Sequence, residues 1–416
     1  MAPERNVVYE PVFNKTSADL VIIGGGPAGI HLVEAVKQKV GSGFRTILIE
    51  QDSVLGGSGS VSMQQMRTLQ SNREIVRIIA ATEEWYEGVG RETETRIVTP
   101  LPYLFVAADE TQLAGFAQNL KRVQEWGYGS GGVILPPEEL RYRFPFIDRD
   151  VAGALYYPEA AQIDLEAAIR YIIKRSPNAT FALGTQMAEI CIEDGKVTGV
   201  ITDRGKITTD KVVLATGPFA IKAGNQIIGG TLGAEGNLSD LIQVRKRQRF
   251  SGVVSGLPSG THIFVVAPGG QFARLHTDKD KDSQGYGDYG FANPDDPPVD
   301  DPVLHPSATE IEFPALVYAG LGRVISGYGD EERTGPMVGP IIEGSRIAGW
   351  YADTKDDIPV VCATSIRGLF LNIGHSHLGV MVRGAADHMA NIIFNGESPD
   401  NPFSLNRDFV GQGIRL

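Results

Sequence analysis

The sequence predicts a mixed α/β fold, and three observations predict it. Short, almost wholly apolar runs, Leu20–Ile23, Thr46–Ile49 and Val212–Ala215, have the pattern of strands covered on both faces. Amphipathic stretches with capping residues lie between them, such as Asp164 before LEAAIRYIIKR. A second block, from Gly224 to about Ile347, holds strand-like segments separated by turn residues. The first two features predict a nucleotide-binding unit of parallel strands and helices. The third predicts a further domain on a mixed or antiparallel sheet.

The unit at residues 18–50, ADLVIIGGGPAGIHLVEAVKQKVGSGFRTILIE, organises the rest. It reads strand, glycine turn, helix, strand, acid. Gly24, Gly26 and Gly29 form G-x-G-x-x-G, with Pro27 and Ala28 opening the helix. In a Rossmann-type unit the first glycine permits the turn and the second lets the backbone approach a pyrophosphate. The third lets the helix pack on the strand. The helix N-terminus then faces the phosphates, and Glu50, ending the second strand, is placed to accept hydrogen bonds from ribose hydroxyls. The motif alone does not say which dinucleotide binds.

Further along, Ser62 is expected to cap a helix over Ser62–Leu69, and Ile75–Tyr86 to form another. Thr95–Ala107 reads as strand material, and Asp109 caps a helix reaching about Gly127. A short helix opens at Pro136-Pro137, and Val151–Tyr157 is a strand. Asp194-Gly195 joins Met187–Glu193 to Val197–Asp203 as a hairpin. Phe250–Val254, Ile263–Val266 and Phe272–His276 are strands. The segment 278–306, rich in Asp, Pro and Gly, is expected to be a long surface loop, solvated or serving as a lid or arm. Ile358–Ala363 and Leu369–Ile373 are strands before a closing helix, Gly384–Phe394.

At 416 residues the chain has room for two domains. Its net charge of −12 argues against nonspecific nucleic-acid binding. Cys191 and Cys362 sit far apart in apolar runs without zinc-site spacing, so buried thiols are expected. The first residues hold no apolar signal core, and no apolar run reaches the roughly 18 residues of a membrane span. A cytoplasmic, soluble protein is the expectation, with oligomeric state open.

Three stretches in this order carry a resemblance: the opening unit, the run from Ile190 to Gly217 ending DRGKITTDKVVLATG, and GLFLNIGHSHLGVMVRGAADHMANII at 368–393. The chain resembles the D-amino-acid oxidase and sarcosine oxidase superfamily of flavoproteins, over nearly its whole length. The resemblance implies FAD as the dinucleotide and a discontinuous architecture. Residues 17–95, 160–220 and 360–395 would form the FAD-binding domain. Residues 96–159 and 221–359 would form the substrate domain, with 396–416 a C-terminal tail.

Within the superfamily the chain looks nearest the monomeric sarcosine oxidase branch. GSGSVSMQQMRT, Gly57–Thr68, places Arg67 at that branch's substrate-carboxylate arginine. GWYADTKDD, Gly349–Asp357, places Tyr351 at its active-site tyrosine. GHSHLGVMV, Gly374–Val382, matches the loop that wraps the flavin pyrimidine edge. FAD contacts are thereby implied for Gln51, Gly57 and Ser58. They are implied also for Met187, Ala215, Thr216 and Gly217, and for Gly374, His375, Ser376, His377, Leu378, Gly379, Val380 and Met381.

The departures are informative. The branch's covalent flavin cysteine falls on Gly349, and no histidine stands in Gly56–Met66, so noncovalent FAD is expected. Met381 replaces a lysine near the flavin, and Arg274 falls on the lysine linked to oxygen activation. Candidate catalytic residues are His375, His377, Tyr351, Arg67 and Arg274. Oxidation of a C–N bond of an amine or amino acid to an imine is the leading expectation, by hydride transfer to flavin N5, with oxygen or another acceptor taking the electrons. Two alternatives stay open: a tailoring flavoenzyme for a larger amine or heterocycle without a carboxylate, and an inactive flavin-binding subunit.

Overall fold

The computed structural model describes residues 7–8, 16–41, 43–228, 238–277, 284–293, 296–308, 310–329 and 337–407. Part of the 278–306 segment and the end of the 396–416 tail lie outside the described residues.

Seven strands form one sheet in the order Val7–Val8, Thr180–Leu183, Thr46–Glu50, Leu20–Ile23, Val212–Leu214, Leu369–Ile373 and Val360–Ala363. All neighbours are parallel except the last pair. Both faces of the central strands are covered, which is why Leu20–Ile23 and Val212–Leu214 are apolar throughout. Leu20, Ile22 and Leu48 face the helices Pro27–Val40, Arg73–Thr93, Leu165–Arg175 and Arg383–Asn395. Val21, Ile23, Ile47 and Ile49 face a three-stranded antiparallel sheet, Met187–Glu193, Lys196–Thr202 and Gly205–Thr208, and the helix from Ala220. Asp194 and Gly195 both have positive φ, 49° and 69°, as a tight two-residue hairpin demands.

The second large sheet has nine strands and is mixed. Its spine is Ile242–Ser255, which pairs antiparallel with Ile347–Thr354, Val338–Ile341 and Gln284–Phe291. The sheet continues through Gln271–Thr277 and His262–Val266. Tyr103–Ala107 then joins as a parallel neighbour, followed by Gly153–Tyr157 and Val133–Leu135. The mixed α/β expectation holds.

Several local expectations do not. The 278–306 segment is not a loop throughout, because Gln284–Phe291 is a strand inside the large sheet. Its glycines are required by close neighbours. A Cβ at Gly285 would lie 2.2 Å from the His276 carbonyl oxygen, and one at Gly290 would lie 2.3 Å from the Phe272 ring. Ser62 does not cap a helix. It ends the short helix Ser58–Val61, and Gln65–Met66 pairs as a strand with Ala161–Gln162. The next helix starts at Arg73, where Asn72 Oδ1 accepts from the amides of Glu74 and Ile75 at 2.9 and 3.1 Å. Thr95–Ala107 is two strands, Val98–Pro100 and Tyr103–Ala107, broken where Pro100 and Pro102 cannot donate to a ladder.

Candidate functional site

A cavity of about 1030 Å³ opens at the carboxyl ends of the parallel strands and runs under the large sheet. At its nucleotide end the three glycines differ in physical role. Gly24 has φ +113°, and a Cβ there would lie 2.4 Å from the Ala215 oxygen. A Cβ on Gly29 would lie 2.0 Å from the Gly24 oxygen, so helix and strand touch there. Gly26 caps the Pro27–Val40 helix and lines the cavity, and a Cβ on it would meet no protein atom within 4 Å. It leaves open space in front of helix-terminal amides, the cradle a pyrophosphate needs. Glu50 Oε2 accepts from Gly25 N at 2.6 Å and Oε1 from Asp52 N at 2.9 Å. Burial raises its carboxyl above the ordinary range, and these amides oppose that shift. Thr216 Oγ1 is buried on the cavity without a protein partner. These features fit a dinucleotide.

The far end is shaped by the turn after Leu369–Ile373. Gly374 and Ser376 have φ of +72° and +45°. Ser376 holds this unfavourable conformation while its Oγ donates to Asp353 Oδ1. Asp353 is 4 % exposed, and its Oδ2 also faces Arg245 and Arg247, each at 3.5 Å. His375 Nε2 lies 2.8 Å from Asn372 Oδ1, and burial holds its imidazole down at about 4. It is therefore neutral at physiological pH. From behind, Tyr86 donates to the Val380 carbonyl at 2.9 Å.

The large sheet supplies the roof. Arg67 lies over the Tyr103 and Phe105 rings, its guanidinium carbon 5.2 and 5.6 Å from their centroids. Its Nε, Gln65 Nε2 and Gln70 Nε2 are buried donors on the cavity without protein partners. Among the described residues Arg67 has no carboxylate partner, whereas the other cavity arginines do. Arg247 pairs with Asp296 at 2.8 Å, and Arg249 stands 3.8 Å from Asp288. Burial raises the Tyr103 phenol to about 12 and also raises that of Tyr351, so both stay protonated donors.

Of the residues expected from the sequence, Arg67, Tyr351, His375, Ser376 and His377 line this one cavity, as do Gly24, Gly26, Pro27, Ala28, Glu50 and Gln51. Gly57, Ser58, Met187, Ala215, Thr216, Gly217, Gly379 and Val380 line it too. Gly29, Gly374, Leu378 and Met381 do not. The first two shape the backbone behind the surface, and Leu378 and Met381 are buried in the core. Arg274 does not line the cavity either: its Nε donates to Asp288 Oδ2 at 2.8 Å on the neighbouring strand. Gln65, Tyr103, Arg247, Arg249 and Asp353 were not anticipated. For Arg247 and Arg249 the alternation in IQVRKRQRFSG was a usable signal, since it sets three arginines on one face of a strand.

A nucleotide cradle that opens onto a chamber of aromatic rings and paired charges defines a dinucleotide-binding protein with room for a second ligand. The family model for DAO, the FAD dependent oxidoreductases, matches residues 19–392, and the chain belongs to that family. Its cofactor is FAD. Sarcosine oxidase subunit beta of Arthrobacter sp. is 25 % identical over 430 residues, covering 96 % of this chain and 93 % of that one. The bifunctional protein ThiO/ThiG of Synechocystis sp. is 24 % identical over 212 residues, which span 50 % of this chain and only 31 % of that longer protein. Among solved structures, L-proline dehydrogenase from P. horikoshii superposes with a TM-score of 0.74 at 20 % identity, covering 94 % of this chain and 97 % of that one. Among the described residues no helix is long and apolar enough to cross a membrane.

Proposed function

We propose that the protein oxidises the C–N bond of an amino acid to an imine. The observation that carries the reading is Arg67, a guanidinium on the cavity with no carboxylate partner among the described residues. Two relatives support it by name, since sarcosine and proline are both α-amino acids with a secondary amine.

FAD supplies the hydride acceptor. Arg67 binds the substrate carboxylate, and the Tyr351 hydroxyl donates a hydrogen bond to the bound substrate. With FAD bound, the reacting carbon would give up its hydrogen as hydride while the lone pair of the neutral amine nitrogen forms the C=N bond, and the resulting iminium would release a proton to become the imine. Water then hydrolyses the imine. With FAD bound, the part of the turn that lines the cavity, His375–His377 and Gly379, would lie beside the charge that the reduced cofactor carries. The neutral His375 fixes that turn and adds no cation. Oxygen or another acceptor takes the electrons.

We assign 17–95, 160–220 and 360–395 to the FAD-binding domain, and 96–159 and 221–359 to the substrate domain. FAD is held without a covalent bond, because Gly349 has no side chain to link it and no histidine stands in Gly56–Met66. Acid precipitation should leave the yellow colour in the supernatant.

The test is anaerobic mixing of the yellow protein with a panel of primary and secondary amino acids and amines. Bleaching of the flavin absorbance by amino acids is expected, and a panel that leaves it unchanged overturns the reading. Readmitting oxygen and assaying peroxide then separates oxidase from dehydrogenase.

A further inference from the structure

The cavity continues past Arg67 along a wall of aromatic rings that dinucleotide binding does not explain. Tyr103 and Phe105 stand two residues apart on one face of their strand. Phe264 is in register with Tyr103 on the parallel neighbour, and Phe272 projects from the next strand. The Tyr103 and Phe264 rings stack with centroids 4.4 Å apart, and Phe264 stacks on Phe272 at 5.1 Å, each pair tilted by 29°. Phe116 packs beside Phe105 at 6.0 Å. All five line the cavity.

We propose that the substrate is an amino acid with an aromatic side chain, seated with its carboxylate on Arg67 and its ring against the Tyr103–Phe264–Phe272 wall. This rests on the amino-acid reading above. Arg67 lies over Tyr103 and Phe105, so a carboxylate bound to it sits at the foot of the wall. Tyr103, Phe105, Phe116 and Phe264 are buried and present only part of their rings to the cavity, while Phe272 is half-buried, so a substrate with no side chain, such as glycine or sarcosine, would leave that apolar surface without a guest. Tyr103 and Phe264 stack on their neighbours, so the wall offers an aromatic guest mainly ring edges, with the half-buried Phe272 at its end, and edge-to-face contacts add to simple area burial in a way an aliphatic chain cannot use. Aromatic rings with few polar groups are also the usual lining where a large apolar ligand group binds.

Carboxylates that lack an amine cannot be oxidised, so their equilibrium binding can be read from the absorbance of the FAD-loaded protein. The probes are acetate, cyclohexylacetate, phenylacetate and the neutral phenylacetamide. Phenylacetate is expected to bind at least ~10-fold more tightly than acetate, and more tightly than cyclohexylacetate. Phe272→Leu, at a half-buried ring, should narrow the ratio of phenylacetate to acetate affinity. Phe264→Leu should do the same, and either variant suffices if the other fails to fold. Equal binding of phenylacetate and acetate, both lost in Arg67→Gln, would overturn the aromatic assignment and leave the carboxylate clamp intact. Phenylacetamide binding as tightly as phenylacetate, with no effect of Arg67→Gln, would overturn the clamp and leave the aromatic wall. No spectral change with any carboxylate overturns both.

Discussion

The Arg67 guanidinium sits 5.2 Å from the centroid of the Tyr103 ring, and the Tyr103 hydroxyl donates to Gln65 Oε1 at 2.7 Å. The ring positions the cation from one side, and no carboxylate among the described residues neutralises it. Arg67→Gln should therefore weaken carboxylate ligands by roughly 2–3 kcal/mol, about 30- to 150-fold, while neutral amines change little. Titrating the flavin absorbance with paired acid and amide ligands checks this. Equal losses for both would remove Arg67 from carboxylate recognition.

The three motif glycines should respond differently to a side chain. Gly26 faces open cavity, so Gly26→Val should fold normally as apoprotein yet hold FAD weakly. Gly29→Ala forces a Cβ to 2.0 Å from the Gly24 oxygen, so it should destabilise the apoprotein by about 1–3 kcal/mol or more. Denaturant melts of the apoproteins, alongside FAD titrations, separate the two effects. Equal apoprotein stability in both variants would contradict this division of roles.

Asp353 ties the large sheet to the turn at 374–379 by accepting from Ser376 and facing two arginines. Asp353→Ala leaves Arg247, itself 9 % exposed, with less compensation, and the expected cost is about 3–5 kcal/mol. Ser376→Ala removes one hydrogen bond from a strained turn and should cost less, about 1–2 kcal/mol, while loosening FAD. Ser376→Gly should recover part of that loss, because glycine relieves the positive φ. Thermal melts with and without added FAD report both quantities.

His375 gives a pH signature with a defined sign. Burial lowers its imidazole from 6.5 to about 4. Above 6.5 both folded and unfolded chains carry it neutral. Between 6.5 and about 4 only the unfolded chain takes up the proton, so stability falls as pH drops through that window, by roughly 3 kcal/mol in all. His375→Asn lacks this component and should show a flatter pH dependence of unfolding free energy. His31, held at about 3 by burial, acts alike in both proteins. Parallel slopes for the two proteins would mean that His375 is not buried neutral.

Much of the fold was legible because its signals are local. Apolar runs covered on both faces, capping residues such as Asp109 and Asp164, and the Asp194-Gly195 turn encode their structures within a few residues. The glycine-rich strand Gln284–Phe291 was not legible. Its glycines resemble loop composition, and only the Phe272 and Tyr289 rings that a Cβ would strike show why they are there. Arg274 was misleading for a related reason: which way a strand residue turns depends on the neighbouring strand, here on Asp288.

The sequence by itself determined the nucleotide unit, its glycines and Glu50, and the residues of the turn at 374–379. Covalent neighbours suffice to set a turn, a cap and a strand–helix–strand unit. Only the tertiary structure brought Arg67, Tyr103, Phe264 and Tyr351 to one cavity. They come from segments far apart in the chain, and long-range strand pairing, including the parallel join of Tyr103–Ala107 to His262–Val266, sets their distances. Such a site is made by register and by the side of a sheet that each residue faces, which no local pattern states.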